Sequence, residues 1–158
     1  MKSKYWFFAI SIFFFASFVW QGNRVNAQIL KPVKWTYRYE KINSKSGYVV
    51  VTASIGKGWH IYAQGADQGD GPIPTSFKFD KSSAYLISGL IVPSVKPKVS
   101  FDQTFRKNIG VHENRVVFKQ KVFLNIGFPE IKGSLEFMVC NDHQCLPPED
   151  LDFKVKSN

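Results

Sequence analysis

The sequence predicts an all-β protein, an immunoglobulin-like antiparallel β-sandwich. Three observations carry this expectation. Alternation with period two recurs along the chain, and helical periodicity does not. Clusters of glycine, proline and asparagine divide the chain at short intervals.

The elements follow in order. Trp35-Thr36-Tyr37-Arg38-Tyr39-Glu40 alternates aromatic and polar residues, and Asn43 to Gly47 breaks it. Tyr48 to Ile55 is a β-branched run, as suits a buried strand. The long irregular stretch Gln64 to Pro74 reads QGADQGDGPIP, and its acids spaced by glycine invite a calcium-loop reading. Counted from Asp67, the twelfth position is Lys78, where an EF-hand needs a bidentate glutamate, so a turn-rich loop is expected instead. Thr75 to Phe79 and Ala84 to Val92 come next, and Pro93 to Pro97 forms a break. Val116 to Gly127 gives the clearest alternation. Val116, Phe118, Val122, Leu124 and Ile126 share one face, and Lys119, Lys121 and Asn125 fall on the other. Gly127 to Gly133 separates this strand from Ser134 to Val139, and Leu151 to Val155 is the last. Seven or so short strands point to a sandwich, with an eight-stranded barrel as the alternative.

The first residues indicate the compartment. Lys2 and Lys4 precede an uncharged, aromatic-rich run from Tyr5 to about Trp20, and Val25-Asn26-Ala27 offers small residues before Gln28. That layout predicts a signal peptide over residues 1–27, cleaved on export to the periplasm. The alternative is an N-terminal anchor in the inner membrane, for which the run falls short of the about 20 residues that a span requires. Cleavage removes Lys2, Lys4 and Arg24 and no acid, lowering the formal charge from +9 to +6. The remaining basic residues are scattered and alternate with apolar ones, as on the wet face of a sheet, so nucleic acid is not an expected partner. Residues 28–158 are expected to form a single soluble domain able to bury its own core.

The only two cysteines stand in Phe137-Met138-Val139-Cys140-Asn141-Asp142-His143-Gln144-Cys145-Leu146-Pro147-Pro148-Glu149. As a staple, a loop this short restrains the unfolded chain by about 2 kcal/mol, against about 4.7 for a loop of 100 residues. As a metal clip, the pair with His143 falls one ligand short of a closed zinc site, and His60 and His112 are far away in sequence. As a redox centre, the pair has suitable surroundings. Leu135, Phe137 and Val139 share one face, so Cys140 is expected at a strand end, pointing away from the core. Pro147 and Pro148 stiffen the chain beside Cys145. His143 favours a thiolate if it is cationic and near, and Asp142 opposes it. The spacing alone does not decide among the three.

Val-Cys-x4-Cys-Leu-Pro-Pro-Glu, followed by one last strand, resembles the end of the N-terminal periplasmic domain of DsbD-type thiol–disulfide interchange proteins. Gly58-Trp59-His60-Ile61-Tyr62 sits where that family carries a glycine and an aromatic stretch, and Phe101 to Phe118 resembles its cap-loop segment. The resemblance implies an immunoglobulin-like domain with a redox-active pair, Cys140 and Cys145, under a cap. Phe105 would be the cap aromatic, and His60, Tyr62, Asp102, His143 and Pro147 would line the site. It further implies thioredoxin-like periplasmic partners and a membrane-embedded electron-transfer protein, here supplied in trans, with no cofactor and no metal. Non-enzymatic binding with an inert disulfide is the alternative. Two departures stand out. Four residues separate the cysteines where better-known members have five, and Gln103 and Thr104 replace the acids that commonly precede the cap phenylalanine.

Overall fold

A computed structural model describes residues 30–66, 69 and 71–158. The expected signal peptide and cleavage site, and Asp67 and Asp70 of the glycine-rich loop, lie outside the described residues. All described residues but Leu30 belong to one compact unit, Lys31–Asn158. Among them no helix is long and apolar enough to cross a membrane.

The unit is built of antiparallel strands in three sheets. The first has the order β1 (Val33–Asn43), β2 (Ser46–Ile55), β8 (Arg115–Leu124) and β5 (Tyr85–Pro93). The second runs β10 (Val139–Cys140), β3 (His60–Tyr62), β7 (Lys107–Glu113) and β6 (Lys98–Asp102). The third runs β11 (Glu149–Lys156), β9 (Glu130–Phe137) and β4 (Ser76–Phe79). One apolar core draws on all three: Val49, Val51, Val116, Phe118 and Val122 from the first, Ile61 and Val139 from the second, and Ile131, Leu135, Phe137 and Phe153 from the third. This is the expected sandwich.

Alternation in β1 turns its aromatics inward. Trp35 meets the Phe137 ring at 5.2 Å and Tyr37 stacks on Phe153 at 5.2 Å. In β2, which has a neighbour on each side, Val49 to Val51 are all buried, as its unbroken β-branched run suggests. β8 departs from its pattern at two points. It ends at Leu124, and Ile126, expected on the inner face, is exposed. The chain turns away there because the Asn125 and Ile126 amides both donate to Ala84 O, and Gly127 takes a positive φ.

The second point is Gln120, a polar residue in an otherwise apolar row and only 2% exposed. The register of β5 against β8 shifts between Ser88 and Val92. Such an irregularity frees carbonyls from the ladder, and Gln120 Nε2 donates to Ser88 O at 2.8 Å and Gly89 O at 3.3 Å. Gln120→Leu is therefore expected to destabilise the fold by about 1–2 kcal/mol, measured by urea unfolding, despite being the more apolar side chain.

His112 of β7 is also buried, edge-on to Phe118 with ring centroids 5.8 Å apart, and its Nε2 has no hydrogen-bond partner among the described residues. Burial pushes its pKa below the usual histidine value, so the folded state favours the neutral ring. The unfolded chain then binds the extra proton first. Stability is full above about pH 6.5 and falls as pH drops below it. His112→Leu should flatten that slope in urea titrations at successive pH values.

Candidate redox site

The site begins where β9 stops. Period-two alternation places Cys140 on the outer face of a strand continuing through Val139, but β9 ends at Phe137. After Met138 the chain passes to the second sheet, where β10 pairs with β3, Val139 opposite Ile61 and Cys140 opposite His60. Val139 stays in the main core. Cys140 leaves it, as expected, but does not reach solvent. It is 1% exposed, in a second small core with Tyr62, Ala66, Ile109 and Val111. Phe105, Met138 and Cys145 pack against that cluster. The change of sheet corrects the outward placement.

The four residues between the cysteines form a tight polar turn. Asn141 Oδ1 accepts the amides of His143 at 2.9 Å and Gln144 at 2.8 Å. The Asn141 amide donates to Gln144 O, and the Leu146 amide to Val139 O, both at 2.9 Å. Asparagine suits such a turn because its side chain mimics a backbone acceptor. Cys140 and Cys145 thus face each other across an isolated antiparallel bridge, joined in a disulfide with Cα atoms 4.1 Å apart. Cys145 is half-buried. His143 stands exposed at the tip of the turn, and Pro147 is exposed on the approach to β11.

The cap is the turn between β6 and β7. Asp102 Oδ1 accepts the Thr104 amide at 2.8 Å and the Phe105 amide at 3.0 Å, and Arg106 takes a positive φ of 54° to close the turn. This geometry sets the half-buried Phe105 edge-on to Tyr62, with ring centroids 5.9 Å apart, over the small core that holds Cys140.

Tyr62 is the hub. It is fully buried, and its carbonyl accepts the Thr75 hydroxyl at 2.7 Å. Its own hydroxyl donates to Asp102 Oδ2 at 2.7 Å and lies 4.0 Å from Cys145 Sγ. Burial, then the hydrogen bond to Asp102 and its charge, hold the phenol well above the usual tyrosine range, so it remains a neutral donor. The His60 ring lies edge-on to Tyr62 at 5.3 Å. Its Nε2 is 3.9 Å from Asp102 Oδ2, beyond hydrogen-bond range, and is buried with no hydrogen-bond partner among the described residues. Burial lowers its pKa, with the charges of Asp102, Glu113 and Asp142 opposing. Here His60 favours the neutral ring.

The structure therefore brings together Cys140, Cys145, Phe105, Tyr62, His60 and Asp102, and sets His143 and Pro147 at the exposed margin. Sequence reasoning missed Asn141 and Thr75. An asparagine directly after a cysteine, two residues before the tip of a short polar loop, is a usable turn signal. Thr75 carries no signal, because its role appears only once β3 and the start of β4 are adjacent.

Solved structures share this arrangement of strands. The reduced N-terminal domain of DsbD from Neisseria meningitidis is 20% identical with a TM-score of 0.53, over 82% of this chain and 91% of that one. The same domain in complex with the N-terminal domain of PilB gives 17% identity and 0.53, over 80% and 87%. The N-terminal periplasmic domain of ScsB from Proteus mirabilis gives 17% and 0.54, over 79% of this chain and 45% of that longer one. No curated protein matches the sequence. The family described as "Thiol:disulfide interchange protein DsbD, N-terminal" matches residues 26–157, nearly the whole length. The chain belongs to that family of thiol–disulfide interchange domains.

Proposed function

We propose that the chain relays electrons in the periplasm through Cys140 and Cys145, accepting them from a membrane-embedded donor supplied in trans and passing them to thioredoxin-like proteins. The observation that carries this reading is a disulfide held in a hydrogen-bonded turn, with Cys145 half-buried and Cys140 fully buried, beside an aromatic cap. Export by residues 1–27 and a single domain over 28–158 belong to the same reading. A relative's DsbD N-terminal domain forms a complex with a PilB domain, which supports partner docking as this family's habit.

The exposure difference orders the steps. A donor thiolate reaches Cys145 Sγ, because Cys140 is 1% exposed. The Cys140–Cys145 bond breaks as the mixed disulfide forms, and Cys140 leaves with the electron pair and takes up a proton. The donor's second thiolate then attacks its own sulfur in the mixed disulfide, and Cys145 is released and protonated. Two electrons and two protons have moved, the donor dithiol has become a disulfide, and the same steps in reverse reduce the acceptor. Phe105 and the cap turn bar small thiols until a partner displaces them.

Trapping tests this order. Cys140→Ala should form a stable mixed disulfide between Cys145 and a thioredoxin-like protein whose resolving cysteine has been removed and whose remaining cysteine carries a nitrothiobenzoate mixed disulfide, the nitrothiobenzoate leaving as its thiolate. Cys145→Ala should form none or far less. Failure of both variants to trap, with a partner active on other substrates, would count against the relay.

A further inference from the structure

Asp102 joins the cap to the neighbourhood of the sulfurs with its two oxygens. Oδ1 holds the Thr104 and Phe105 amides and so shapes the turn that carries Phe105. Oδ2 takes the Tyr62 hydroxyl hydrogen. A phenol has one hydrogen to give. While Asp102 holds it, Tyr62 turns only lone pairs toward Cys145 Sγ, 4.0 Å away, and lone pairs cannot stabilise a thiolate.

The two sides of this contact differ in fixity. Tyr62 is fully buried, lies in β3, and is tied down by Thr75 and by the His60 ring. Gln103 and Thr104 of the cap turn are exposed and Phe105 is only half-buried. Asp102 ends β6, an edge strand whose backbone pairs with β7 and not with β3. Movement of the turn therefore takes Asp102 with it and leaves Tyr62 in place.

We propose that Asp102 is a positioning residue that couples the cap to the hydrogen bonding of Cys145. With the cap seated, it keeps the Tyr62 hydroxyl hydrogen away from the sulfur. When a docking protein lifts the turn, the Tyr62 hydroxyl keeps its hydrogen and donates it as a hydrogen bond to the Cys145 thiolate instead. The attacking sulfur is thereby stabilised as a thiolate only in the complex where it is used. This inference rests on the interchange reading above and deepens it.

The test uses reduced Cys140→Ala protein, in which iodoacetamide alkylation reads Cys145 alone and no redox partner is needed. Its outcome is therefore independent of trapping. Asp102→Asn retains an oxygen for the Thr104 and Phe105 amides, but offers Tyr62 an NH2 and so releases the hydroxyl hydrogen. Loss of the carboxylate charge alone accelerates alkylation equally with or without the Tyr62 hydroxyl. The coupling predicts that Asp102→Asn raises the rate at neutral pH about tenfold more with Tyr62 intact than in the Tyr62→Phe background, the pH profile moving to lower pH accordingly. His60, Asp142 and His143, the other titratable groups near the pair, are unchanged throughout. Equal accelerations in the two backgrounds would overturn the proposal. Should Asp102→Asn fold poorly, Phe105→Ala unseats the cap without touching the carboxylate. It must then show an acceleration that depends on Tyr62 in the same way, and its absence overturns the proposal equally.

Discussion

Phe105→Ala is expected to raise the rate at which dithiothreitol reduces the Cys140–Cys145 disulfide by about four- to tenfold. Burying a phenylalanine fully contributes about 1.5–3 kcal/mol. Phe105 is half-buried, so roughly half of that holds the cap shut, and about 1.4 kcal/mol corresponds to a factor of ten in the fraction of time the site stands open. The ring packs on Tyr62 and the small core rather than between the sheets, so global stability should fall by no more than about the same 1.4 kcal/mol. Phe105→Leu should fall between the two. Counting free thiols over time measures the rate. Unchanged reduction in Phe105→Ala would show that Phe105 does not guard the pair.

Phe118→Ala should do the reverse. Phe118 is fully buried in the main core, with ring centroids 4.9 Å from Phe77, 6.3 Å from Trp35 and 5.8 Å from His112. Those neighbours come from β4, β1 and β7, one strand in each sheet, so collapse around the missing ring would have to move all three sheets. Removing a phenylalanine from such a site costs about 3–5 kcal/mol. Against a usual total of about 5–15 kcal/mol, that lowers the melting temperature by about 10–20 °C. At temperatures where the variant remains folded, its disulfide should be reduced at the wild-type rate. A variant that melts normally would mean the sheets do not share one core. The two substitutions together separate what holds the sandwich from what guards the sulfurs.

Much of the sandwich was legible because its strands obey simple periodicity. β1 and β8 alternate, β2 is a β-branched run, and each reads directly as half-buried or central. The second sheet was harder to read. β3 and β10 have three and two residues, too few for any period to show. β6 and β7 mix lysine, serine, aspartate and histidine with their apolar positions, and neither was read as a strand; the family resemblance marked only a cap-loop segment within Phe101 to Phe118. The cysteines were conspicuous as the only two in the chain, and Cys140 does leave the main core as expected, but its burial in a second small core was not foreseen. Alternation was carried past Phe137, where the strand actually changes sheets, and no periodic rule marks that change. Asp102 was named as a lining residue, but its two separate oxygen contacts appear only once β3 and β6 lie on either side of β7.

The relay itself is tested most directly by equilibrating the intact domain with a thioredoxin-like protein of known potential and measuring the fraction of Cys140 and Cys145 in the disulfide. Ready exchange is expected, with a potential within reach of such proteins, above about −300 mV. A potential well below that value, with no exchange when the partner is in excess, would identify the disulfide as a structural bridge and contradict the account.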